Sequence, residues 1–161
     1  MFLMTDPDPL VSAIAITGLP LSSFQAIDLI VIGGGPAGYM GAVTVAENTL
    51  SSVVLLEATS KTLEKVRQSG GGRCNVTHAC WDLKDLVIKY PRGKIPLLGP
   101  FSRFAPGDVV AWFADRGLEL VSEADGRMFP SSNRSSEVVA CLRCAAKEAG
   151  VKVLTQMVVQ R

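Results

Sequence analysis

Three glycines spaced Gly33-x-Gly35-x-x-Gly38 form the first chemically suggestive pattern in this chain. An acid, Glu57, stands 19 residues beyond the last of them. Gly33 permits a sharp turn out of a strand. Gly35, lacking Cβ, lets the backbone approach a pyrophosphate. Gly38 allows close packing of the following helix on its strand. Pro36 suits the first helical turn, where its missing N–H costs nothing, and Ala37 completes the fingerprint. The helix start offers free N–H groups and the positive end of its dipole to a phosphate. An acid about 20 residues on matches the partner of a ribose hydroxyl. Its negative charge favours a free 2′-hydroxyl, as in FAD or NAD, over the phosphate of NADP.

A second glycine run, Ser69-Gly70-Gly71-Gly72-Arg73-Cys74-Asn75, follows. Three consecutive glycines are entropically costly to order, which makes sense where backbone must hug a ligand. Successive N–H groups in such a loop can form an anion-binding nest. Arg73 adds a forked donor, and Asn75 offers both donor and acceptor.

The elements that must position these residues are legible around them. The apolar run Leu29 to Ile32 reads as a strand, Pro36 to Glu47 as a helix, and Val53 to Leu56 as a second strand ending at the acid. A helix is expected over Trp81 to Tyr90, with a proline-rich loop over 91–106. Another is expected from Val109 to Arg116, with Asp108 as N-cap, Gly117 as stop, and Val109, Trp112 and Phe113 as its core face. Leu118 to Ser122 and Arg127 to Phe129 read as a hairpin insertion, about 118–130, turning at Asp125-Gly126 and ended by Pro130. Ser135 or Ser136 is expected to cap a helix over 137–149, whose buried stripe is Val138, Leu142, Ala145 and Ala149. Val151 to Val159 reads as a final strand. The fold class is therefore α/β: a Rossmann-like FAD/NAD(P)-binding domain over 28–161, after an extension at 1–27 expected to be poorly ordered.

Composition fits a packed domain, with 48% hydrophobic residues, while a net charge of +1 gives no reason to expect nucleic acid. All 16 basic residues follow residue 60, and a group at Lys84, Lys89, Arg92, Lys94 and Arg103 reads as solvated surface. No apolar run is long enough to span a bilayer, and neither a positive signal region nor transit-peptide arginines precede residue 28, so the expectation is a soluble cytoplasmic protein. Cys74, Cys80, Cys141 and Cys144 are expected as free thiols. Two readings compete for them. One is a flavin-linked redox dithiol using Cys74 and Cys80. The other is a zinc site drawing on Cys74, His78, Cys80, Cys141 and Cys144, disfavoured because the last two fall within an amphipathic helix. No metal is expected.

The chain resembles the N-terminal part of the HI0933-like FAD-dependent oxidoreductases, within the glutathione-reductase-like flavoproteins. The residues that carry the resemblance are Gly33 to Gly38, Glu57, Lys65, Ser69 to Thr77, and Asp125-Gly126-Arg127-Met128-Phe129-Pro130. It covers about residues 28–161. It implies non-covalent FAD, with the fingerprint glycines on the pyrophosphate and Glu57 on the adenosine ribose. The loop from Gly70 to Asn75 would line the pyrophosphate, ribityl and ring region, and the backbone of Val159 would meet the adenine. It further implies NAD(P)H as electron donor and a small organic substrate. His78 departs from the family's usual Asn. The family is more than twice as long, so the resemblance places the substrate domain outside these residues. A missing C-terminal part or homo-oligomerisation would cover what that leaves open. A nucleotide-binding module without its own catalysis is the alternative.

Overall fold

The computed structural model of the chain describes residues 27–160. All but the last residue of the N-terminal extension lies outside them. The chain divides into two compact units, one running up to Thr62 and resuming at Ala149, the other Leu63–Glu148.

The first unit holds β1 (Leu29–Ile32), α1 (Pro36–Asn48), β2 (Val53–Leu56) and β6 (Lys152–Leu154). The strands form a parallel sheet in the order β1-β2-β6, with Leu29 opposite Val53 and Val54 opposite Lys152. Central β2 is buried at all four residues, as expected for a parallel strand covered on both faces. Tyr39, Ala42 and Val43 are the buried residues of α1. Asp28 and Ser52 fasten the two strand starts together. Asp28 Oδ2 accepts from the Ser52 amide at 2.7 Å and from its hydroxyl at 2.9 Å. These bonds hold the Asp28 carboxyl below its ordinary pKa.

The final strand is shorter than its sequence predicts. It ends at Leu154, because Gln156 takes a left-handed conformation (φ 59°) that breaks the extended run. Val159 therefore lies beyond the strand. The chain after β6 instead runs beside the segment following β2. Leu154 O accepts from the Glu57 amide at 2.8 Å, Glu57 O from Met157 at 2.9 Å, and Thr59 O from Gln156 at 3.0 Å.

The second unit holds α2 (Glu64–Gln68), a 3-10 turn over Ser69–Gly72, β3 (Thr77–His78), α3 (Leu83–Ile88), α4 (Leu98–Phe101), α5 (Pro106–Ala114), β4 (Leu120–Ser122), β5 (Arg127–Pro130) and α6 (Ser135–Glu148). The expected hairpin is present. It gains a third, unpredicted strand, giving an antiparallel sheet in the order β3-β5-β4. Pro130 ends β5, as its last residue.

Three boundaries need correction. The stretch 91–106 is not all loop, since it contains α4. Helix α5 starts at Pro106, with Ala105 as N-cap, and Asp108 sits three residues in. Its Oδ2 accepts from the Ala105 amide at 2.7 Å, reaching back to the cap instead of forming it. Ser135 is the first residue of α6 and is buried. Its hydroxyl donates to Arg67 O at 3.0 Å, tying α6 to α2. Of the α5 face, Phe113 is buried while Val109 and Trp112 are half-buried. On α6, Val139 and Ala146 join Val138, Leu142 and Ala145 in the core, and Ala149 is only half-buried.

Candidate functional site

The turn between β1 and α1 has a different reason for each glycine. Gly33 has φ 105°, a conformation L side chains rarely adopt. A Cβ at Gly38 would collide with the carbonyl oxygen of Gly33, so the helix packs on the turn only without one. At Gly34 a Cβ would lie 2.7 Å from Thr62 Cγ2 and 3.0 Å from Glu57 Cβ. Gly35 is the exception. Its φ of −83° is ordinary, and a Cβ there would meet nothing within 4 Å. Neither backbone strain nor internal packing requires glycine at that position. The space beside it is open.

Helix α1 begins at this turn without a side-chain cap. It spans 13 residues, opens on Pro36 and carries no acid in its first turn. The amides of Ala37 and Gly38 thus start the helix with no side-chain acceptor competing for them.

Glu57 closes the turn from the end of β2. Its Oε2 accepts from the Gly34 amide at 2.8 Å, and its Oε1 accepts from the amide and the hydroxyl of Thr59, each at 2.8 Å. The backbone bonds from Thr59 and then Gly34 hold the carboxyl below its ordinary pKa. An oriented carboxylate with lone pairs to spare can accept hydroxyl donors. Beneath it, the buried Tyr39 hydroxyl meets Thr62 Oγ1 at 3.0 Å. Gly34, Thr59 and Thr62 were not singled out by sequence reasoning. Gly34 fills a position the fingerprint leaves unspecified, and the two threonines carry no motif.

The HI0933-like protein Rossmann domain family matches residues 27–161. The chain belongs to the HI0933-like family. A relative from Clostridium scindens, 3-dehydro-bile acid delta(4,6)-reductase, is 28% identical over 126 residues, which cover 78% of this chain and 30% of the relative. The chain thus spans less than a third of the length of that curated relative. Among solved structures, Thermovibrio ammonificans THI4 shares the fold, with a TM-score of 0.52, 13% identity, and coverage of 83% of this chain and 45% of that one. A Rossmann-like nucleotide-binding fold, with parallel sheet and helices, is therefore established for the chain.

The second unit carries the other family motif. Gly70, Gly71 and Gly72 all have positive φ (57°, 67° and 87°), which explains the consecutive glycines. A Cβ at Gly70 would sit 2.9 Å from the Asn75 amide and 3.0 Å from Phe129 Cε1. The loop is partly closed on itself, since the Arg73 amide donates to Gly70 O and the Cys74 amide to Ser69 O. Those two amides are thereby withdrawn from an anion nest. Asn75 Oδ1 accepts from the Met128 amide at 3.3 Å, so its acceptor end serves the hairpin. Lys65 stands exposed on α2. The Arg73 guanidinium lies 4.0 Å over the Phe129 ring and pairs with Glu123.

Cys74 is buried, with φ 62°, and burial pushes its thiol pKa up. That is the wrong direction for Cys74 as an attacking thiolate. Cys144 is exposed on α6 and its thiol donates to Glu148 at 3.3 Å, which raises its pKa too. His78 Nε2 lies 3.1 Å from Asp125 O, and a Cβ at Gly126 would strike its ring, so the imidazole packs on the hairpin turn. Among the described residues no three His, Cys, Asp or Glu side chains gather as a metal site, and no helix is long and apolar enough to cross a membrane.

Proposed function

We propose that this chain is the FAD-binding part of a flavin-dependent oxidoreductase. The observation that carries the reading is Gly35, a glycine that neither its own backbone angles nor its neighbours require. The cofactor's pyrophosphate would lie against Gly33, Gly35, Pro36, Ala37 and Gly38, with the amides of Ala37 and Gly38 as its donors. Glu57 accepts the adenosine ribose hydroxyls and, being anionic, rejects a 2′-phosphate. Gly70, Gly71, Gly72, Arg73, Cys74 and Asn75, with Lys65, supply further cofactor contacts, and Val159 offers its backbone to the adenine. Bound FAD supplies the hydride chemistry, while these residues bind and orient it. In the whole protein the hydride passes from NAD(P)H to a small organic substrate. The bile-acid reductase relative supports an apolar, conjugated one.

The test is the visible spectrum of the chain after incubation with FAD and gel filtration. A flavin band travelling with the protein is expected. A colourless protein fraction would contradict the reading.

A further inference from the structure

The geometry points to Glu123, in the hairpin, as the residue that positions Arg73 for the cofactor. The inference rests on the reading that Arg73 touches FAD.

The Arg73 guanidinium is anchored on one side only. Its NH1 donates to Glu123 Oε1 at 2.5 Å and lies 3.4 Å from Asn133 Oδ1, and its plane lies over Phe129. Among the described residues, Nε and NH2 have no hydrogen-bond partner. Two donor edges of the fork are therefore left for a ligand.

Glu123 is itself held firmly. Its amide donates to Arg127 O at 2.8 Å, and its carbonyl accepts from the Gly126 amide at 2.9 Å. Its second carboxylate oxygen, Oε2, faces Arg127 NH2 at 3.5 Å, and Arg127 Nε donates to Asp125 Oδ2 at 2.7 Å. Phe129 is fully buried, with Gly70 against its edge and Arg73 on its face. The hairpin thus fixes both ends of the Gly70–Arg73 segment.

The Arg73 and Glu123 side chains are 34% and 36% exposed, so their pair adds little to fold stability. What it does remove is rotamer freedom from a long side chain before any ligand arrives. It also neutralises the charge, leaving Arg73 a directional donor suited to an uncharged oxygen or nitrogen acceptor.

The test is a double-mutant cycle on FAD affinity, read by flavin fluorescence, with unfolding of the FAD-free proteins followed in parallel. Arg73→Lys and Glu123→Gln should each weaken binding about ten-fold, and the double variant no more than Arg73→Lys alone. The FAD-free melting temperatures should stay together. A merely structural Glu123 would weaken binding equally with Lys at position 73 and would lower the melting temperature. Either that additivity, or wild-type affinity in Glu123→Gln while Arg73→Lys is impaired, would overturn the inference alone. Wild-type affinity in Arg73→Lys would overturn the Arg73 contact itself. Should Glu123→Gln not fold, Glu123→Asp, which keeps the charge but shortens the reach, takes its place in the cycle.

Discussion

Glu57 carries both the cofactor reading and a titration. Its carboxylate takes donors from Gly34 and Thr59, and its folded pKa lies below the ordinary 4.5. A depressed folded pKa means that the carboxylate's stabilisation is fully present above that ordinary value. It is lost as pH falls through the folded pKa. FAD affinity, measured by titration at successive pH values, should therefore hold from neutrality to below 4.5 and fall only as pH drops through the lowered folded pKa. Glu57→Gln should bind FAD about ten-fold more weakly at neutral pH, because an amide cannot accept at both ends. Unchanged affinity would remove Glu57 from the ribose. The glycine fingerprint and Glu57 were legible in the sequence because motif spacing encodes them. The partners that orient them were not. Gly34 looks like any variable position until Thr62 and Glu57 are seen packed against it. Likewise Arg73 meets Glu123 across 50 residues of chain, a pairing no local pattern reveals.

At the scale of elements, β1, α1, β2 and the hairpin follow from apolar runs and turn residues. The misplacements have local causes. Two-residue β3 is too short to show periodicity, and Pro106 starts α5 two residues before the acid that looked like its cap. Leu63, which caps α2, takes φ 63° while only 2% exposed, so burial and backbone preference oppose each other there. Leu63→Ala keeps the strained angle and loses the packing, at a cost of about 2–5 kcal/mol. Leu63→Gly loses the same packing but relieves about 1 kcal/mol or more of left-handed strain. Glycine should therefore be the milder substitution in urea unfolding, in line with its preference over alanine at an N-cap. The opposite ranking would show that Leu63 is unstrained. Ser135→Ala, which orphans the Arg67 carbonyl, should cost about 1 kcal/mol in the same assay.

For the whole molecule, both tryptophans, Trp81 and Trp112, fall in the second unit. Tryptophan fluorescence therefore follows that unit alone, whereas far-ultraviolet circular dichroism follows both. Independently cooperative units predict transitions at different urea concentrations by the two probes, and coincident curves would show one cooperative unit. Several large apolar side chains stand exposed, among them Ile32 on β1 and Trp81, Ile88 and Ile95 in the second unit. Such surface favours association, so elution volume should fall as protein concentration rises. On the proposed function, the chain binds FAD where Gly35 leaves room. Calorimetric FAD titration of wild type and Gly35→Ala, alongside their FAD-free melting temperatures, tests it most directly. The expected result is tight binding by wild type and loss of binding by Gly35→Ala at a nearly unchanged melting temperature. Equal FAD affinity in the two proteins would contradict the account.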